Sequence, residues 1–191
     1  MSLFLLIGDR HAGKTSACRT LAAAARARGL TIGGVLAPAV HEGDQCLGYD
    51  VVDLATGATT RLADHRGPGV EHAGRFHFLA GGLRLGRAAL ARAIADAPHL
   101  VIVDEVGPLE LAGGGWAAAL DALAALPGGT VFAVRPDLAA EVAARWGVPP
   151  ERRLDLRDGV DTGVARILAP LGPRQLESPE AGTCQPNPPR E

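Results

Sequence analysis

Two textures of apolar residues alternate along this chain. Short runs that are apolar at nearly every position, Leu3–Ile7, Thr31–Ala37, Leu100–Val103 and Thr130–Val134, read as strands buried on both faces. Between and after them lie longer stretches in which apolar residues recur every three to four positions. These predict helices over Ser16–Arg28, Leu83–Ala97, Trp116–Leu126, Asp137–Arg145 and Val160–Leu168. The first is rich in Ala, Leu and Arg and is stopped by Gly29. Its Cys18, Leu21 and Ala25 share one face, which makes Cys18 a packed core thiol. Arg153–Leu156 adds a last short strand. Strands alternating with helices predict an α/β fold, a mostly parallel sheet covered by helices on both faces.

The segment from Val40 to Gly74 breaks this rhythm. Tyr49–Leu54 alternates imperfectly, Ala55–Thr56–Gly57 is a turn, and Ala58–Leu62 returns, so a small antiparallel hairpin is expected beside the parallel sheet. Asp64–Gly69 reads as loop and Arg75–Leu79 as one more short strand. His41, His65, His72 and His77 match no metal-ligand spacing and read as scattered polar histidines at the surface. From Pro170 onward prolines and small polar residues replace the periodic pattern. The organisation expected is one domain over residues 1–169, with an insertion at 40–74, and a disordered tail over 170–191.

Composition narrows the partners. In 191 residues the formal charge is −2, with no basic stripe of the kind that follows nucleic acid. No apolar segment reaches the roughly twenty residues of a membrane span. Cys18, Cys46 and Cys184 are isolated, so neither a disulfide framework nor a zinc knuckle is expected, and a reduced cytoplasmic setting is.

The chemistry starts where the first strand stops. Gly8–Asp9–Arg10–His11–Ala12–Gly13–Lys14–Thr15 satisfies G-x-x-x-x-G-K-[ST], directly between a strand and a helix. Such a loop wraps a phosphate so that successive backbone N–H groups point at it, and the helix N-terminus, running on through Ser16, adds its own. Lys14 reaches the β- and γ-phosphates, and the Thr15 hydroxyl can ligate Mg²⁺.

A second half of the site is expected at Asp104–Glu105, the paired carboxylates that end Leu100–Val103. In a parallel sheet both strands deliver their C-terminal ends to the same edge, where ligands bind. Asp104 is then placed to hold Mg²⁺ opposite Thr15, and Glu105 to orient or deprotonate a water attacking the γ-phosphorus. Arg135, ending a neighbouring strand at that edge, reads either as a neutraliser of transition-state charge or as a solvated salt-bridge arginine; Arg10 is a second candidate. Gly113–Gly115 is either a mobile cover or a plain loop leading to an inward-packed Trp116. The only asparagine is Asn187, so guanine selectivity through an Asn–Lys–x–Asp segment is excluded.

With these residues identified, the chain resembles the THEP1-type nucleoside-triphosphatases, small P-loop proteins. The resemblance rests on Gly8–Thr15, on the more specific run Asp104–Glu105–Val106–Gly107–Pro108–Leu109–Glu110–Leu111, and on Gly48–Leu54 with Thr56–Gly57. It covers about Leu3 to Leu168. It implies a three-layer P-loop NTPase and Mg²⁺-dependent hydrolysis of ATP, GTP, CTP and UTP to diphosphate and phosphate, with loose choice of base. It assigns Lys14, Thr15 and Asp104 to nucleotide and metal, and Glu105 to the attacking water. It further implies a branch with an extra strand between the two nucleotide motifs, which the strands at Thr31 and Arg75 fit. Arg10–His11 departs from the small residues more usual in that loop.

Two other activities fit the same motifs. One is a small-molecule kinase whose acceptor pocket is formed by the 40–74 hairpin; the other is a nucleotide-dependent switch or assembly factor awaiting a partner's arginine. Neither the identity of a protein partner nor the oligomeric state is legible.

Overall fold

The computed structural model describes residues 2–172. The expected tail therefore lies, from residue 173 on, outside the described residues, as does Cys184. The parallel strands are β1 (Ser2–Ile7), β2 (Ile32–Leu36), β8 (Leu100–Val103), β9 (Gly129–Val134) and β10 (Arg153–Asp155). They stand in the order β10-β1-β9-β8-β2. The sheet continues past β2 into an antiparallel wing of β4 (Gln45–Asp53), β5 (Thr59–Asp64), β7 (Phe76–Phe78) and β6 (Glu71–Ala73), with β3 (Ala39–Glu42) paired to β4.

Alternation along the parallel strands divides the core into two layers. Leu3 and Leu5 of β1, with Val101, Val103, Phe132 and Val134, face α2 (Ala80–Asp96), α4 (Ala117–Ala124) and α5 (Pro136–Trp146). Phe4 and Leu6, with Ile102, Val131 and Ala133, face α1 (Lys14–Ala27) and α6 (Val160–Leu168). β1, β2, β8 and β9 thus bury both faces, which is why their sequences show no polar alternation, whereas the short β10, Arg153–Leu154–Asp155, buries only Leu154. Leu5, Leu21, Leu90 and Ile102 are fully enclosed, each contributing about 1.5–3 kcal/mol by leaving water. Cys18 is among them, as its helical spacing predicts, and burial pushes its thiol pKa well above the usual value.

Two expectations need adjustment. The hairpin is real, formed by β4 and β5, but it belongs to a five-stranded wing continuous with the main sheet, because the β2 edge pairs directly with β4 through Val35–Asp53 and Leu36–Val52. The strand lying between the two nucleotide motifs is β9, not the strand at Thr31 or at Arg75. β2 flanks β8 on its far side and β7 lies in the wing. Chain order does not report spatial order in a sheet built by crossovers.

Candidate functional site

β1 and β8 are parallel to β9 and flank it. Ile7 pairs with Val134 and Val103 with Phe132, so the phosphate loop, Asp104–Glu105 and Arg135 all emerge at one edge. Gly8 N–H donates to the Val134 carbonyl at 3.1 Å and Val106 N–H to the Ala133 carbonyl at 2.9 Å, anchoring both segments to β9.

The loop bends back into α1 through Gly13, whose φ of 86° lies in the left-handed region that costs glycine nothing. His11 holds φ 63° in the same loop. A Cβ on Gly8 would meet Leu156 at 2.8 Å and the Lys14 stem at 3.1 Å, so this glycine makes room for neighbours that pack against the loop from behind. Lys14 is buried at 4% exposure. Its ammonium donates to the carbonyls of Gly8 and Asp9, each at 3.1 Å, and lies 3.2 Å from Glu105 Oε1.

Asp104 is fully enclosed. Its Oδ2 accepts from Ala37 N–H at 3.1 Å, immediately beyond β2, while Oδ1 has no hydrogen-bond partner among the described residues. Burial lifts its carboxyl to a pKa of about 6; the Thr15 hydroxyl pulls the other way, and the Glu105 charge adds to the rise. A buried carboxylate oxygen without a partner, beside a threonine hydroxyl at a phosphate loop, fits a hard cation such as Mg²⁺, which takes few protein ligands and completes its shell with phosphate and water. Among the described residues no group of three His, Cys, Asp or Glu side chains is clustered to hold a metal by itself. His72 and His77 stack edge to face at 4.7 Å, and His65 Nδ1 lies 2.7 Å from the Leu47 carbonyl.

Glu105 is one-third exposed and adopts φ 59°, a left-handed conformation that is costly for a residue with a Cβ. The turn separates its side chain from that of Asp104: one carboxylate is sealed beneath β2, the other reaches Lys14. Arg135 lies 3.1 Å from Asp137 and also lines the cleft.

The cleft over these residues has a volume of about 700 Å³. Arg10, His11, Lys14, Thr15, Ser16 and Arg135 line one part, and Asp104 and Glu105 the centre. Tyr49, Leu62, Phe76 and Phe78 of the wing line the cleft as well, with Leu109 and Trp116. Tyr49 lies in Gly48–Leu54 and Leu109 in Asp104–Leu111, but Leu62, Phe76 and Phe78 carry no sequence motif; the only signal at the phenylalanines is the alternation Phe76–His77–Phe78 after a turn. Arg19, one turn beyond Thr15, also lines the cleft and was not singled out. Gly113–Gly115 is tied down, since Glu71 Oε2 accepts from Gly115 N–H at 2.6 Å and Arg87 bridges Glu71 and the Gly115 carbonyl. Trp116 packs inward at 5% exposure. No helix among the described residues is long and apolar enough to cross a membrane.

A family model described as NTPase matches residues 4–138. Nucleoside-triphosphatase THEP1 of Methanopyrus kandleri is 34% identical over 107 residues, which is 56% of this chain and 58% of that relative. The protein of the same name from Pyrococcus abyssi is 33% identical over 108 residues, 56% and 59% of the two chains. The chain thus spans less than two thirds of the length of these curated relatives. The crystal structure of THEP1 from the hyperthermophile Aquifex aeolicus shares the fold, with a TM-score of 0.66 at 16% identity over 88% of this chain and 98% of that one. The solution structure of a human cancer-related nucleoside triphosphatase does so at 0.63 and 18%, over 88% and 96%. With most of its length matched by the family model and its phosphate loop and carboxylate pair joined at one sheet edge, the chain belongs to the NTPase family of the THEP1-type nucleoside-triphosphatases, a group of P-loop proteins.

Proposed function

We propose that this protein hydrolyses nucleoside 5′-triphosphates to nucleoside diphosphate and phosphate, with Mg²⁺ as cofactor and broad tolerance of the base. The observation that carries the reading is the convergence of Lys14, Asp104 and Glu105 at the end of β9. Backbone N–H groups from Gly8 to Ser16 would cradle the phosphates, with Asp9, Arg10, His11 and Ala12 forming the loop between the two glycines. Lys14 would bind the β- and γ-phosphates, exchanging its carbonyl partners for phosphate oxygens. Thr15 and Asp104 would hold Mg²⁺, which neutralises charge on the transferring group. Glu105 would orient the attacking water and accept its proton, the electron pair of the broken γ-P–O bond leaving with the diphosphate. Arg135 would steady charge on the γ-phosphoryl group.

The names of the curated relatives support the substrate class, and ATP, GTP, CTP and UTP are the substrates to try. A single catalytic domain over residues 1–169 is part of the reading. So is a cytoplasmic setting, supported by the free, buried Cys18 and Cys46.

The test is Mg²⁺-dependent phosphate release from the four nucleotides, compared with Glu105→Gln. Release from several of them is expected, reduced in the variant by roughly 10²- to 10⁴-fold, with nucleotide binding retained. Loss of binding in a folded Glu105→Gln protein would remove Glu105 from the assigned role.

A further inference from the structure

Hydrolysis needs room beside the γ-phosphate for one water molecule, about 30 Å³ of liquid. The cleft, about 700 Å³ in all, has to hold the triphosphate as well, and beyond the phosphate loop its lining passes to the antiparallel wing. Beyond Glu105, on the side of β8 away from β1, the antiparallel wing contributes three aromatic rings and Leu62 to the lining of the same space. Tyr49 and Phe76 meet edge to face at 5.1 Å, and Phe78, Leu62, Leu83 and Leu109 complete the apolar lining. Tyr49, Phe76 and Phe78 are only partly buried, leaving ring surface available to a ligand. The enclosing elements are tied together by the Glu71, Arg87 and Gly115 contacts across the wing, α2 and the glycine loop. A fixed chamber lined in this way is that of a small-molecule site, which buries a flat apolar body and fixes it with a few polar groups.

We propose that this chamber is an acceptor site for a ribonucleoside, with Glu105 serving a hydroxyl as it serves water. The inference rests on the triphosphate-binding reading above. A base stacks on the aromatic rings, and its polar edge is met by Tyr49 and Glu110, two of the hydrogen-bonding members of the lining. The 5′-hydroxyl then reaches the γ-phosphorus beside Glu105. Its oxygen forms the new P–O bond and the bond to the bridging β-γ oxygen breaks. The hydroxyl proton passes to the Glu105 carboxylate, and the nucleoside diphosphate departs with the electron pair. The products are a nucleoside monophosphate and a nucleoside diphosphate, and no further reactant is required.

The experiment follows label from γ-³²P-ATP with Mg²⁺, alone and with adenosine, guanosine, cytidine or uridine. Label in a nucleoside monophosphate is the expected result. Labelled phosphate alone with all four nucleosides overturns the acceptor site and leaves the hydrolase standing. No label leaving ATP under any condition overturns both. Phe76→Ala and, independently, Phe78→Ala are expected to lower transfer to the nucleoside by about tenfold, the weight of one stacked ring, while phosphate release without nucleoside is unchanged. Unaltered transfer in both folded variants would remove the ring from this chamber.

Discussion

The ammonium of Lys14 lies 3.2 Å from Glu105 Oε1, so the two charged groups assigned to opposite jobs are partners before any phosphate arrives. Lys14 is also the only lysine in the chain, every other basic side chain of this kind being arginine. A compact ammonium has three donors that rotate freely, whereas the five of a guanidinium are confined to one plane, and here the ammonium is shared among two carbonyls and a carboxylate. In the proposed function, incoming phosphate oxygens would compete for the same donor and free Glu105 toward the terminal phosphate.

Lys14→Met retains an aliphatic stem in a buried slot and removes the charge. Nucleotide affinity is expected to fall by about ten- to a hundredfold, the weight of charge-assisted hydrogen bonds of roughly 1.5–3 kcal/mol. Calorimetric titration with a non-hydrolysable triphosphate measures it; equal affinity would exclude Lys14 from phosphate binding.

The left-handed φ of 59° at Glu105 has its own signature. Glu105→Gly and Glu105→Ala both delete the carboxylate, but only alanine keeps a Cβ in the strained conformation. The glycine variant is expected to be the more stable by about 1 kcal/mol, or roughly 2–4 °C in Tm for a chain of this size. Both are expected to be inactive. An alanine variant as stable as the glycine one would show that the turn relaxes without strain.

Glu110 is buried, and its Oε2 accepts from Gly107 N–H at 3.0 Å. Burial, opposed by backbone N–H groups and joined by the Glu71 charge, raises its carboxyl from 4.5 to about 7. The folded state therefore binds this proton more tightly than the unfolded chain. Between pH 4.5 and 7 the folded protein carries the extra proton, and this contribution to stability falls as pH rises through that window. Thermal unfolding of nucleotide-free protein at pH 5 and pH 7.5, repeated with Glu110→Gln, isolates it. The variant is expected to lose part of the decline; an identical pH dependence would contradict the shifted carboxyl.

Gly86 lies on α2 where a Cβ would stand 2.4 Å from Trp116 Cζ2. Gly86→Ala forces the indole, and with it the wall of the cleft, to shift. Overpacking of this kind costs about 1–3 kcal/mol. A lowered Tm with altered tryptophan fluorescence is expected, and an unchanged Tm would mean that the indole repacks freely.

Much of this molecule is written locally. A strand buried on both faces has to be apolar along its length, so β1, β2, β8 and β9 were legible as runs, and their helices as three-to-four periodicity. The phosphate loop was legible because its glycines and lysine act through adjacent backbone, a chemistry confined to eight consecutive residues, Gly8 to Thr15. Asp104 and Glu105 were legible as the end of a strand. Their differing fates were not: Asp104 is sealed by the Ala37 amide from a strand 67 residues away in sequence, and Glu105 is turned out by a backbone twist no residue type announces. Tertiary structure alone decided that β9 separates the two motifs, that the hairpin grows into a five-stranded wing, and that Tyr49, Phe76 and Phe78 meet Leu109 over one cleft. Such contacts join segments whose local patterns are ordinary. Strand order and shared cavities arise from which surfaces bury one another best across the whole chain, and that sum is not carried by any single stretch of it.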